Sequence, residues 1–330
     1  MNNKVFITGG GGYIGARLVP ILLKKNYYVT VYDTFYYGNF LKKNKKLKII
    51  KGDIRNINKL ALNCKNHDIF LHLACISNDA GFELNNKLSK SINFDCFEKI
   101  VIQAKKSQIK RFIYASSSSV YGVSKKKNVV EEDPLIPLTL YNKYKGMCEP
   151  LLIKHTDKNF IGTIFRPATV CGYSPRMRLD LSVNILTNFA FNKKFIKVFG
   201  GNQLRPNLHI LDYCDAVLKL IKADSKKIEN QIFNVGKENL TINNISLLVK
   251  KIVENKINKK IKIIKTKSYD KRSYHINSDK IYRQLNFRAK RTVNDAVVEL
   301  CNAFAKGKIP KSFDLCEYYN VKTLKSLKIK

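Results

Sequence analysis

Short runs of β-branched and aromatic residues alternate along the first half of the chain with segments whose apolar residues recur every three or four positions. That alternation is the pattern of parallel strands joined by covering helices. Lys4–Thr8 predicts the first strand. Ile14, Leu18, Ile21 and Leu22 predict a helix over 14–25, and Tyr28–Tyr32 predicts a second strand that ends in Asp33. Further strands are predicted at Leu47–Ile50, Ile69–Leu73, Arg111–Ala115, Phe160–Phe165 and Gln231–Val235, with helical spacing over Cys96–Lys106 and Lys143–His155. Seven strands with right-handed crossovers give an α/β fold built on a doubly wound parallel sheet, the Rossmann arrangement.

After Arg166 the alternation lapses. Helical patterns occupy Leu179–Asn192, Ile242–Asn255 and Val293–Lys306, and Lys260–Ile264 is a short strand pattern. The chain is therefore read as a dinucleotide-binding domain over 1–172 with a returning segment near 205–236, interleaved with a smaller, mostly helical substrate-binding domain over 173–204 and 237–330. Lys322–Lys330, with a Lys every two or three residues, reads as a frayed, solvated tail. No apolar run approaches the roughly 18 residues that cross a bilayer. No charged leader with an apolar stretch precedes the first strand. A cytoplasmic protein without membrane insertion is expected.

Composition changes this picture only at the surface. Sixty-one Lys and Arg against 25 Asp and Glu give a net charge of +36, which alone suggests a nucleic-acid or membrane-surface binder. Only 11 of the 61 are Arg. The Lys are scattered in short groups such as 42–43, 45–46, 125–127, 193–194 and 259–260, with no arginine-rich arm or zinc-finger spacing, so no nucleic-acid partner is expected. Eight Cys without a C-x-x-C pair and five His without metal-ligand spacing predict neither a disulfide framework nor a metal site.

The candidate chemistry begins at Thr8-Gly9-Gly10-Gly11-Gly12-Tyr13-Ile14-Gly15, which follows a strand and opens a helix. There glycines allow a tight turn and let backbone N–H groups approach a pyrophosphate at the positive end of the helix. Asp33 stands where an acid bonds both ribose hydroxyls and repels a 2′-phosphate, which favours NAD over NADP. Arg17, early in the helix, is the rival feature, and Asp33 outranks it. Downstream, Tyr141 and Lys145 lie one helical turn apart in Y-x-x-x-K. A phenol, with an ordinary pKa of about 10, becomes a usable base at neutral pH only when nearby positive charge favours its anion.

The spacing T-G-x-x-G-x-x-G resembles that of the extended short-chain dehydrogenase/reductase family, which includes sugar-nucleotide epimerases and dehydratases. Further segments carry the resemblance. Gly52-Asp53-Ile54-Arg55 is similar to the family's adenine-side acid, with Asp53 and Ile54 on the cofactor. His72-Leu73-Ala74-Cys75 is similar to the end of its fourth strand, with Leu73 and Ala74 against the cofactor. Asn93 matches a cofactor-contacting Asn. By this resemblance Gly9, Gly12, Tyr13, Ile14 and Gly15 would also hold NAD, and Lys145 would hold its nicotinamide ribose. The run Ser116 to Gly122 resembles S-S-x-x-V-Y-G, which makes Ser117 the substrate-binding hydroxyl and, with Tyr141 and Lys145, the catalytic set. Where the 4,6-dehydratases carry Asp-Glu, this chain has Ser118-Ser119, so dehydration lacks its proton-transfer residues.

On the substrate side, Arg205 in Gln203-Leu204-Arg205-Pro206 resembles a diphosphate-binding Arg, with Pro206 replacing the usual Asp. Arg272 occupies the place of a second, divergent substrate segment. Thr169 in Arg166-Pro167-Ala168-Thr169 and Ser118 are placed to touch the sugar. Arg176, Arg178 and Asp180 stand at a helix entrance, where capping and substrate contact are equally plausible readings, and Arg178 is taken as a substrate residue. The resemblance implies an NAD-dependent epimerase that inverts C4 of a UDP-hexose through a 4-keto sugar and works as a homodimer. The rivals are a nucleotide-sugar 4-reductase or dehydrogenase with net NAD(P)H turnover and a non-catalytic nucleotide- or RNA-binding protein of the same fold.

Overall fold

Each central strand buries both faces, and this explains why the strands read as continuous apolar runs. In Lys4–Thr8, Val5 and Ile7 enter the core on one side of the sheet while Phe6 enters the core on the other. The computed structural model describes residues 3–124, 126, 128–267 and 273–327. Its strands are β1 (Lys4–Thr8), β2 (Tyr28–Asp33), β3 (Leu47–Lys51), β4 (Ile69–His72), β5 (Arg111–Ala115), β6 (Ile161–Pro167), β7 (Thr169–Cys171), β8 (Phe195–Phe199), β9 (Leu204–His209), β10 (Gln231–Val235), β11 (Glu238–Thr241) and β12 (Lys262–Thr266). Seven of them form one sheet in the order β3-β2-β1-β4-β5-β6-β10. Every pairing in it is parallel. The order reverses between β1 and β4, the place where a doubly wound sheet opens a crevice at its carboxyl ends.

The expected parallel sheet is thus present. Beyond it the chain forms a β11-β9-β7 sheet and a β12-β8 pair. β8 and β12 share a core with the helices Ser182–Lys193, Ile242–Ile257 and Val293–Ala305, among them Val183, Ile196, Val249 and Val297. Strands β7, β8, β9 and β11 and the helix Ile210–Lys222 lie outside the predicted elements. β9 contains Pro206, which argues against a paired strand in a sequence, and β7 is only three residues long. Residues 322–326 are not the solvated tail expected: they belong to a helix, Asn320–Ser326, in which Asn320 and Thr323 are buried. Leu324 explains the difference, because it packs against the core on one face of the central sheet. No described helix is long and apolar enough to cross a membrane.

Two charge groups, one buried and one partly exposed, tie these layers together. Glu149, from the helix Leu140–Ile153, accepts from Arg166 of β6 (Nη2 to Oε2, 2.6 Å) and from Ser116 at the end of β5 (2.6 Å). Arg166 also donates to the Tyr121 hydroxyl (2.6 Å) and to the Glu131 carbonyl (3.0 Å). On the opposite side Glu299 accepts from Arg17 (2.7 Å) and from the Tyr173 N–H (2.9 Å), and it sits 3.2 Å from His209 Nε2. Burial pushes the Glu299 carboxyl up, but His209, the Tyr173 N–H and Arg17 outweigh it and leave the group below its ordinary range.

His72, at the end of β4, is 3% exposed and pairs through Nδ1 with the Thr8 hydroxyl at 2.8 Å. Burial, helped by the Lys145 charge, pushes its pKa down to about 3. Folded His72 therefore stays neutral through a range in which an unfolded histidine takes up a proton below about pH 6.5. Unfolding binds that proton, so stability is lost as the pH falls from 6.5. Urea titrations between pH 7 and 5 should show a fall in stability, and His72→Asn should remove up to about 1.4 kcal/mol per pH unit of its slope. An unchanged slope in the variant would contradict a neutral, buried His72.

Candidate active site

At the carboxyl ends of β1, β2, β4 and β5 lies a cavity of about 420 Å³. Its floor is the glycine turn. Gly9 adopts φ +75°, and a Cβ there would lie 2.5 Å from the Ala74 nitrogen, so only glycine lets β1 turn this close to the end of β4. A Cβ on Gly12 would meet only the Gly9 carbonyl, at 3.3 Å, and would otherwise stand in the open cavity. The turn is therefore a cradle shaped for backbone contact, at the positive end of the helix Gly15–Lys24, and it suits a dinucleotide diphosphate.

The expected cofactor residues gather here with two exceptions. Gly9, Gly12, Tyr13, Ile14, Asp33, Asp53, Ile54, Leu73 and Ala74 all line the cavity. Asp33 accepts N–H bonds from Gly11 (2.9 Å) and Phe35 (2.7 Å), one on each oxygen, which leaves lone pairs for ribose hydroxyls. Burial pushes its carboxyl up, while those two N–H groups and Arg176 oppose the rise. Asp53 is paired with Arg55 (2.6 Å). Gly15 is not on the cavity wall: it packs behind the turn, where a Cβ would fall 2.2 Å from the Gly10 carbonyl oxygen. Asn93 is behind the wall as well, because its amide is consumed by Ile76, accepting from the N–H (2.8 Å) and donating to the carbonyl (2.9 Å). Neither residue lines the cavity in the described structure, and each shapes a loop that does. Arg17, bound to Glu299, is turned away from any 2′-phosphate.

Ser117, Ser118, Tyr141 and Lys145 face the same cavity. Thr139 caps the helix Leu140–Ile153 by accepting the Asn142 N–H, which starts the helix three residues before the predicted 143 and brings Tyr141 into its first turn. Lys145 is buried and donates to the Ala115 carbonyl at 2.7 Å, with its ammonium 4.9 Å from the Tyr114 ring centre. Ser117 bonds Ser119 (2.7 Å), and Ser119 in turn donates to Asn142. Since the Asn142 oxygen can only accept, Ser119's proton is committed there and Ser117 is the donor in the serine pair. Burial holds the Tyr141 phenol well above its ordinary value. Cys75 and Asp79 add to the rise, and Arg178 pulls the other way.

Thr169, Arg178 and Arg205 also line the cavity, and Arg272 lies outside the described residues. Arg178 pairs with Asp180 (2.9 Å) and donates to Ser77 (3.2 Å). Arg205 donates to the Leu204 carbonyl and stands 5.2 Å from the Tyr274 ring centre. The structure adds wall residues that the sequence reading did not select, chiefly Tyr37, Asn142, Arg176 and Asn320. Asn142 was legible as a neighbour of Tyr141; Asn320, in an apparent tail, was not. The carboxylates of the described wall are Asp33, Asp53, Asp79 and Asp180, and none stands at position 118 or 119.

Residues 5–236 match the family described as the NAD dependent epimerase/dehydratase family. Protein CapI of Staphylococcus aureus is 28% identical over 334 residues, covering 89% of this chain and 96% of that protein. UDP-arabinose 4-epimerase 1 of Arabidopsis thaliana is 25% identical over 323 residues, covering 87% and 76%. Among solved structures, UDP-glucuronic acid 4-epimerase from Bacillus cereus, in complex with UDP-glucuronic acid and NAD, shares the fold with a TM-score of 0.79 at 24% identity, over 92% of this chain and 99% of that one.

The buried Glu149–Arg166 pair sets the Tyr141 helix against the serine loop. Glu149→Leu should cost about 3–5 kcal/mol in denaturant unfolding, because it strands a buried guanidinium. Joining it with Arg166→Met should recover most of that loss. A single variant as stable as the parent would show that the pair does not anchor the helix.

Proposed function

The chain belongs to the NAD dependent epimerase/dehydratase family, and from that premise we propose that it inverts C4 of a UDP-hexose through a transient 4-keto sugar. The observation that carries this reading is the wall around Tyr141: Ser117, Tyr141 and Lys145 share it, while Ser118 and Ser119 offer no titratable group beside them. A site so equipped removes and returns one proton. Loss of water needs a further acid and base there.

When bound, NAD supplies the hydride acceptor and donor at its nicotinamide. Gly9, Gly12, Tyr13, Ile14, Leu73 and Ala74 would hold it by backbone and apolar contact, and Asp33, Asp53 and Ile54 would hold its adenosine end. Tyr141 takes the C4 hydroxyl proton and later returns it to the opposite face's product. Ser117, tied to Ser119, keeps a lone pair toward the sugar hydroxyl and orients it. Lys145, one helical turn from Tyr141 and fixed by the Ala115 carbonyl, would hold the nicotinamide ribose. Arg178 adds positive charge to the phenol's surroundings and, with Ser118 and Thr169, faces the sugar; Arg205 takes the nucleotide diphosphate. Leu140 and Met147 on the Tyr141 helix, with Ile136 and Leu138 before it, are exposed, and they support a homodimer beside that helix.

Tyr141→Phe should lower turnover about 10²- to 10⁴-fold while bound NAD and the unfolding midpoint stay as in the parent; NMR of UDP-sugars incubated with each protein reads the outcome. Epimerisation at the parental rate would sink the assignment. Because Arg178 lowers a phenol that burial raises, Arg178→Gln should move the alkaline rise of kcat/KM to higher pH. A pH profile with an unmoved midpoint would separate Arg178 from the phenol.

A further inference from the structure

Two guanidinium nitrogens in the cavity wall, Nε of Arg176 and Nη2 of Arg178, are buried without a hydrogen-bond partner among the described residues. Arg178 has Asp180 as its counter-ion. Arg176, although only 2% exposed, has no ion-pair partner among the described residues: its Nη2 donates to the Asn320 amide oxygen at 2.6 Å, and its guanidinium lies over the Tyr37 ring at 4.1 Å. A positive charge buried in this way lacks the pairing that usually accompanies it. Burial, with Arg178 beside it, pushes its pKa down to about 10, so the group remains charged at neutral pH.

Its position says which anion it faces. Ser174, two residues before it, donates to the Tyr13 carbonyl at 2.7 Å, which fastens this segment to the glycine turn. The Tyr37 ring against its guanidinium, from the segment that follows Asp33, and the Ser174–Tyr13 bond place Arg176 beside the glycine turn, with Arg178 and Asp180 also close enough for their charges to act on it. Of the other cations of the described wall, Lys145 is held by the Ala115 carbonyl and Arg205 stands on β9 beside Tyr274, while Arg178, next to Arg176, already has Asp180 and Ser77 as partners. The loop after β4, Cys75-Ile76-Ser77-Asn78-Asp79, brings none.

We infer that Arg176 is a cofactor-binding residue, closing over the cleft to take the dinucleotide diphosphate from the side opposite the glycine turn. Asn320 is its positioning residue. Besides accepting from Arg176, Asn320 donates its side-chain N–H to Ser77 (2.8 Å) and its backbone N–H to Asp180 (3.1 Å), and Asn78 donates to the same Asp180 oxygen (3.2 Å). The segment 174–180, the loop after β4 and the helix Asn320–Ser326 thus meet at one amide. Turn and arginine then bracket the diphosphate, backbone dipoles on one side and a planar fork on the other.

The inference rests on NAD being the cofactor, and a ladder of ligands separates the two claims. The full chain, stripped of nucleotide, is titrated with adenosine, ADP and NAD by ligand-observed NMR. Arg176→Gln should weaken ADP and NAD about 10- to 100-fold and leave adenosine unchanged, with Arg176→Lys recovering part of the ADP affinity. Unchanged adenosine binding also certifies that the variant is folded. Equal weakening of all three ligands, or no weakening of ADP, would overturn the role of Arg176 alone. Failure of the parent protein to bind either ADP or NAD would overturn the cofactor reading as well.

Discussion

The ion pair between Glu149 and Arg166 is the constraint on which the site depends. It crosses from the helix that carries Tyr141 and Lys145 to strand β6, and through Ser116 and Tyr121 it also holds both ends of the serine loop. Burying two charges is costly, and the low exposure of both side chains means that the cost is offset only by complete pairing. The same network reaches Asn234 on β10 through the Tyr121 hydroxyl, which donates to the Asn234 amide oxygen (2.8 Å), and the Asn234 backbone N–H in turn donates to the Glu131 carboxylate (2.7 Å). Four strands and loops far apart in sequence are therefore set in one geometry, and the phenol, the serine and the ammonium inherit their spacing from it.

Charge is used in two distinct ways in this molecule. The Lys excess behind the net +36 is spread over the surface, where it can raise the local concentration of an anionic substrate, weakly and subject to salt. Among the described residues of the cavity the cations are one lysine and three arginines. Each has a specific support: a carbonyl for Lys145, a carboxylate for Arg178, an aromatic ring for Arg176 and another beside Arg205. A nucleotide sugar and a dinucleotide carry two diphosphates between them, and buried arginines with defined planes suit such groups better than mobile ammonium heads do.

Much of this was legible in the sequence where local rules apply. β1, β5 and β10 have the predicted limits because strands buried on both faces leave unbroken apolar runs. The glycine turn and Asp33 were legible because their spacing along one strand-helix-strand unit is fixed by geometry. Tyr141 and Lys145 were legible because one helical turn brings them together. What escaped was long-range. Glu149 looks like an ordinary helix residue until Arg166 meets it, nothing local shows that the Asn93 amide bonds the Ile76 backbone, and the Lys-rich end looked solvated because Leu324 and Asn320 are single buried residues among charges. In each case the partner lies far off in the chain, and no local pattern encodes it.

Asn320 has a consequence in time as well as in space. The wall that includes Gly9 is completed by a side chain from the last described helix, Asn320–Ser326. A growing polypeptide can assemble the sheet, the turn and the Tyr141 helix long before residue 320 leaves the ribosome, yet Arg176 has no amide to hold it until then. On the proposed role of Arg176, the cleft would therefore reach its full affinity for a dinucleotide only once residue 320 has been made and has docked.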